Sequence, residues 1–278
     1  MEDEPLCAKG QALLDAEDDR HDEAVAVLRN AVRAGERGGP ALLARALLDR
    51  GHRHETIELL APRVAAGRRD LALLLADALA SIGDEERAEE AYRVAVAGAD
   101  VAAMNTFGVF LRHRGRLREA ERMLRRAAEA GDELAPANLV ALLWELTDAV
   151  TAQRTAEQWA DETRPSTLLG LAFIQAARAR YNEAERTYRR AAELGAYRGH
   201  IEYAGFLQHA RADLAGAESE LVEAERLQEP GWALAFGQFL GDVGRPDEAR
   251  AYLEHAAYWG SLEAATALRE MDGELDDD

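Results

Sequence analysis

Eight positions, Ala24, Thr56, Ala88, Ala120, Ala152, Ala184, Ala217 and Ala249, follow one another at 32 residues, with a single interval of 33 between Ala184 and Ala217. A fixed period of this size marks a supersecondary unit that buries its apolar face only against its neighbours. The 278 residues exceed a typical single-core domain, yet no linker or composition break divides them. A stacked array accounts for both facts.

Apolar residues make up 48% of the chain and aromatics only 6%, with Ala, Leu, Glu and Arg recurring throughout, so the units are helical and a sheet is excluded. The formal net charge of −19 repels a phosphate backbone, which argues against direct nucleic-acid binding. Two local runs are basic, Arg112 to Arg126 and Arg178 to Arg190, and their spacing suits i,i+4 pairing with Glu on a solvated face. The near-absence of lysine beside abundant Arg, Ala and Gly suggests a GC-rich, actinobacterial genome. Cys7 is the only cysteine, which rules out an intrachain disulfide and a CxxC pair and fits a cytoplasmic protein. The start, Met1 to Pro5, is acidic where a secretory signal is basic, and the longest apolar stretch, Leu71 to Ala80, is too short to span a bilayer.

Twelve residues before the repeated anchor stands a small residue, Ala12, Ala44, Ala76, Gly108, Ala172, Gly205 or Gly237, with Val140 the exception. Four residues after it stands Leu28, Leu60, Tyr92, Leu124, Tyr188, Leu221 or Leu253, and seven after it Ala31, Ala95, Ala127, Ala191, Ala224 or Ala256. Offsets of 4 and 7 trace one face of a helix. Gly51, Gly83, Gly115 and Gly244 mark the turn inside each helical pair, and Gly35, Gly67, Gly131, Gly195 and Gly260 a left-handed cap at its end. Pro40, Pro136, Pro165, Pro230 and Pro246 are placed in first helical turns, whereas Pro62 falls inside a helix and should bend it. The fifth unit, Val140 to Thr163, is degenerate, with Thr147 at the Gly position and Trp159 where others have Ala.

This pattern resembles the tetratricopeptide repeat, whose small residue is followed by Ala, then an aromatic or Leu, then Ala on the same face. The match covers nearly all of Leu6 to Gly260. It departs from that repeat in its period of 32 and in lacking a Pro after the second helix, where endings such as Arg126-Ala127-Ala128-Glu129-Ala130-Gly131 resemble Sel1-like repeats. The resemblance implies an all-α fold, a right-handed α-solenoid of about eight helix-turn-helix repeats plus a C-terminal capping helix. The expected divisions are a disordered N-terminus at 1–5, the array at 6–260, the capping helix at 261–271 and an acidic disordered tail at 272–278.

The same resemblance places groove positions 15, 11, 8 and 7 residues before each anchor, on the first helix of each pair. These are Arg45, Asp49, Asp77, Asn105, Val109, Arg112, His113, Trp144, Glu145, Phe173, Glu202, Phe206, His209, Gln238 and Asp242. Trp144, Phe173 and Phe206 are aromatics the repeat does not require, and such residues beside Arg and Asn form interaction hot spots, the alternative being that Phe173 and Phe206 only fill space between adjacent first helices. Asn105, Arg112 and His113 are suited to gripping a carboxylate or a peptide backbone. The expected partner-binding set is therefore Arg45, Asn105, Val109, Arg112, His113, Trp144, Phe173, Glu202, Phe206 and His209.

Catalysis is not expected: GxxxxGK[ST], GxGxxG, HExxH and GxSxG are all absent. His21 and Asp22 with His52, His54 and Glu55 form the one metal-like cluster, though polar turns are routine in helical repeats, and no metal or cofactor is expected. The sequence thus reads as a non-catalytic scaffold that holds a peptide, loop or helix of another protein, as a monomer or weak homodimer, without contact to nucleic acid or membrane. Two alternatives stay open. One is a self-assembling structural array, the other an enzyme or metal-dependent regulator using the groove or the first two turns.

Overall fold

A computed structural model describes residues 5–16, 20–146 and 148–272. It is helical over 77% of its length, and no strand occurs among the described residues. Two compact units emerge, one within Met1–Ala103 together with Tyr258–Gly260, the other within Met104–Ala257 together with Ser261–Asp278. Thr147, residues 1–4 and residues 273–278 lie outside the described residues, and with them the expectations for a disordered start, an acidic tail and the irregular Thr147 turn.

The first unit contains α1 (Leu6–Leu14), α2 (His21–Arg33), α3 (Gly39–Asp49), α4 (Arg53–Ala65), α5 (Ala72–Ser81) and α6 (Glu85–Ala97), with a short 3-10 turn, Arg69–Leu71, ahead of α5. Each helix packs on the next, and the first helices of successive pairs, α1, α3 and α5, also touch in turn. Segment 258–260 completes this unit. The Arg50 guanidinium lies 3.9 Å from the Tyr258 ring centre and 4.4 Å from that of Trp259, a pair of cation–π contacts.

Helix α7 (Val101–His113) begins in the first unit and continues into the second. There follow α8 (Leu117–Glu129), α9 (Ala135–Glu145), α10 (Ala149–Trp159), α11 (Thr167–Ala177), α12 (Tyr181–Glu193), α13 (Gly199–Phe206), a π turn at Leu207–Arg211, α14 (Leu214–Arg226), α15 (Trp232–Asp242), α16 (Pro246–Tyr258) and α17 (Leu262–Met271). Within this unit α9, α11 and α13 touch in sequence. None of the described helices is long and apolar enough to cross a membrane.

The anchors are what the repeat is built around: all eight are at most 1% exposed. The residue four later covers them, from Leu28, Leu60 and Leu124 at 0% to Tyr188 at 7%. Left-handed backbone recurs at the two turn positions in most units, with or without Gly, Thr163 after Ala152 being an exception. Within pairs, Gly51, Gly83, Gly115 and Gly244 have φ of 72, 76, 69 and 78°, and Ala179 and Ala212 adopt 57 and 53° at the equivalent places. Between pairs, Ala99 and Gln228 take φ of 60 and 53° where other units use Gly. The turn geometry is dictated by the packed helices, and Gly is only its least strained occupant.

Counting back from the anchor misplaces two small residues. Ala12 is exposed, and Gly10 takes its role in α1, because the connection from α1 to α2 is longer than in later pairs. In the unit anchored by Ala217 the extra residue of the 33-residue interval is absorbed by the π turn, which lies between the first helix and the anchor. The buried small residue there is Ala204, 2% exposed, and Gly205 faces open space with nothing within 4 Å of a Cβ built on it. At Gly108, by contrast, such a Cβ would lie 2.7 Å from Leu124 Cγ. Gly108→Ala is therefore expected to lower the unfolding free energy by about 1–3 kcal/mol through overpacking, whereas Gly205→Ala should raise it by up to about 1 kcal/mol by removing backbone freedom from the unfolded chain. Urea denaturation of the two variants checks the assignment, and a penalty at Gly205 as large as that at Gly108 would contradict it.

Other departures are local. Pro40, Pro136 and Pro246 open helices, while Pro165 and Pro230 sit two residues ahead of α11 and α15 rather than inside their first turns. Helix α4 runs as one continuous element through Pro62. The fifth unit is irregular where Trp159 replaces the usual Ala: α10 has 11 residues where α8 and α12 have 13, and it ends in extended backbone at Ala160.

Candidate binding groove

The first helices of the second unit frame a pocket of about 390 Å3, mostly apolar, with Val109 of α7, Ala137 and Ala141 of α9, and Leu169 and Phe173 of α11 along its walls. Tyr197, Arg198 and Glu202 at the start of α13 line its far end, and Tyr188 of α12 reaches it from the second layer. Val109, Ala141 and Phe173 occupy one repeat position and Ala137 and Leu169 another, so the periodicity itself lines up the wall. Phe173 is half-buried, and the Trp144 ring meets it edge-on with centres 6.4 Å apart.

Of the residues expected to bind a partner, Val109, Phe173 and Glu202 line this pocket, and Trp144 supports it through Phe173. Arg45 lies in the first unit, exposed on α3, while His113 and His209 are exposed in the second. Asn105 is 8% exposed, and its side-chain carbonyl accepts a 2.9 Å hydrogen bond from Asn138 Nδ2. Arg112 is occupied as well: its Nε donates to both carboxylate oxygens of Glu145 at 3.0 Å, and its Nη2 adds a third contact. That guanidinium holds the Glu145 carboxyl below its ordinary value. Residues expected to grip a ligand are thus spent on a polar ladder from one first helix to the next.

Phe206 corrects the expectation most clearly. It is 6% exposed and stacks on Tyr188 with ring centres 5.1 Å apart, inside the core rather than in the groove. The cause is again the inserted residue. Counting 11 back from Ala217 stops one residue short, so Phe206 falls in register with fully buried Ile174, and Gly205 takes the place equivalent to Phe173.

Sequence reasoning did not single out Asn138, Tyr188, Tyr197 or Arg198 in this site. Tyr188 was visible only as a packing residue, and Tyr197 and Arg198 belong to the connection between repeats, which the groove offsets do not sample. That connection is unusual: Arg198 has φ of 58° immediately before α13, and the first free N–H groups of α13, from His200 and Ile201, are capped by Glu229 at 3.1 and 3.2 Å. The cap brings a second carboxylate near Glu202. Glu202 is raised above its ordinary value, chiefly because the walls desolvate it although half its side chain meets solvent; Arg198 opposes the shift and Glu229 reinforces it. The nearest Arg198 nitrogen is 4.0 Å from the Glu202 carboxylate, beyond hydrogen-bond reach. Burial, with Glu202 nearby, also raises the Tyr188 hydroxyl.

The metal-like cluster of the first turns does not assemble. His21 Nε2 is 2.7 Å from the Ala46 carbonyl, and Glu55 pairs with Arg29 at 2.7 Å. Among the described residues no group of three or more His, Cys, Asp or Glu is arranged to hold a metal ion.

No protein-family model matches the sequence, and no curated protein matches it either. Solved structures do. Yeast Tom70 is 15% identical with a TM-score of 0.59 over 99% of this chain, which spans 64% of Tom70. Human IFIT1, solved as a dimer with m7Gppp-AAAA, is 16% identical with a TM-score of 0.55 over 91% of this chain and 71% of its own. A tetratricopeptide repeat protein from Parabacteroides merdae is 15% identical with a TM-score of 0.48 over 94% of both chains. The chain therefore has the fold of tetratricopeptide repeat proteins, and nothing in the comparisons supports an actinobacterial source.

Proposed function

We propose that the protein is a non-catalytic scaffold that binds an extended segment or helix of a partner protein in the groove of its second unit. The observation that carries this reading is the apolar pocket of about 390 Å3 framed by successive first helices, with Phe173 half-exposed in its wall. In a monomeric chain a partly solvated aromatic in an apolar concavity raises the free energy of the free state, and covering it with a partner side chain recovers that cost. Asn105 and Arg112 are already joined to Asn138 and Glu145, so apolar contact at Phe173, rather than a clamp built from those two residues, supplies most of the affinity. The net charge of −19 weighs against a phosphate-bearing ligand such as the m7Gppp-AAAA of the IFIT1 structure.

Selection of a random-peptide display library on the purified protein tests this. Peptides that bury side-chain carbon against the groove wall should be enriched, and Phe173→Ala should weaken them by about 2 kcal/mol, as expected for a central aromatic hot spot. Peptides that bind Phe173→Ala as tightly as wild type would sink the groove assignment.

A further inference from the structure

We infer that the pocket is selective for an arginine side chain of the bound segment, its stem lying on the apolar wall and its guanidinium set against Glu202. This deepens the proposed function and rests on it. Three features of the pocket converge on one chemistry.

The first is charge left over at the α13 end. Glu202 lines the pocket with half its side chain accessible, and its nearest cation, Arg198, stands at 4.0 Å. Arg198 is held elsewhere: a Cβ on Gly231 would lie 2.7 Å from Arg198 Nη1, so its head packs on the turn before α15. Glu229 adds a second carboxylate close by, itself 9% exposed and fixed by the α13 backbone. The field at this end is therefore negative and incompletely neutralised, as the upward displacement of Glu202 also indicates.

The second is the wall material. Phe173, Tyr188 and Tyr197 line the same pocket as Glu202, and Tyr197 is 47% exposed. Aromatic faces attract cations, and a planar guanidinium both stacks on a ring and offers paired N–H donors to a carboxylate. A lysine ammonium satisfies the charge but not the stacking. The third is shape and polarity: Val109, Ala137, Ala141 and Leu169 give an apolar run leading to the charged end, which suits a long methylene stem carrying a charge at its tip. An aliphatic or aromatic side chain would fill the wall and leave Glu202 desolvated without a partner, which is unfavourable.

The display selection separates this inference from the reading beneath it. Selected peptides should be enriched in arginine, and replacing that arginine by citrulline, which keeps the shape and loses the charge, should weaken binding to wild type about tenfold. Glu202→Gln should bind the arginine peptide about tenfold more weakly, and the citrulline peptide no more weakly than wild type does. The citrulline comparison uses only wild-type protein, so it stands even where the variant is unstable. Peptides that need Phe173 but lack arginine, or that tolerate both citrulline and Glu202→Gln, overturn the inference and leave the groove reading intact. If no peptide is selected, or if selected peptides ignore Phe173→Ala, both fail.

Discussion

Replacing Asp77 by Asn should stabilise the first unit by about 2–3 kcal/mol at pH 8, and the gain should vanish by pH 4. Asp77 lies on α5 within the first-helix layer, half-buried, where its carboxylate accepts a 2.8 Å hydrogen bond from the Tyr92 hydroxyl on α6. Desolvation lifts its carboxyl to about 6 despite that bond, and Asp100 pushes in the same direction. A carboxyl raised in the folded state binds its proton more tightly there than in the unfolded chain. Its contribution is fully favourable below about 4, where both states are protonated, and is lost as the pH climbs through about 6. Asn removes the charge and still offers Tyr92 a carbonyl acceptor, so no buried hydroxyl is orphaned. Urea denaturation of wild type and Asp77→Asn from pH 4 to pH 8 should give curves that converge in acid, separate between about pH 4 and pH 6, and stay a constant distance apart above that. Parallel curves would show that Asp77 is ionised without penalty and that the groove there is well hydrated.

Asp77 also shows what the sequence could and could not convey. Its place among the first-helix groove positions follows from periodicity, as do the eight buried anchors and both sets of turns, because each is a statement about one repeat that its neighbours copy. Environments that arise between repeats are not written in the period. Arg112 and Asn105 look like free ligands until Glu145 and Asn138, 33 residues on, are seen to meet them. Register fails for a different reason. The 33-residue interval announces one inserted residue but not where it is accommodated, and a π turn after Phe206 moves that ring from groove to core. The signal existed in part: Ala204 beside Gly205 offered an alternative small residue, and choosing it would have shifted Phe206 inward. The α13 end of the pocket was less legible, since Arg198, Glu202 and Glu229 come together through a left-handed residue and a side-chain cap from the next connection.

Pro62→Ala should raise the stability of the first unit by about 2 kcal/mol, an unusual outcome for deleting part of a side chain. Pro62 is exposed inside α4, with three residues of the helix still to come, and the chain stays helical around it. Without an N–H, Pro62 leaves the Glu58 carbonyl without its usual partner, and its ring crowds the preceding turn. Together these cost about 3 kcal/mol relative to Ala in a helix interior. Proline also restricts the unfolded chain, which offsets about 0.4–1 kcal/mol of that cost. Pro246 is the control, because it is equally exposed but is the first residue of α16. At that position the missing N–H would have had no intrahelical acceptor and the fixed φ suits the helix start, so Pro246→Ala should be neutral or cost up to about 1 kcal/mol. The two substitutions remove the same atoms from the same kind of surface, so opposite signs in urea denaturation would isolate backbone position as the cause. A gain at both sites would instead mean that general helix propensity governs these units, and a loss at both that proline's restriction of the unfolded chain outweighs the helix-interior penalty.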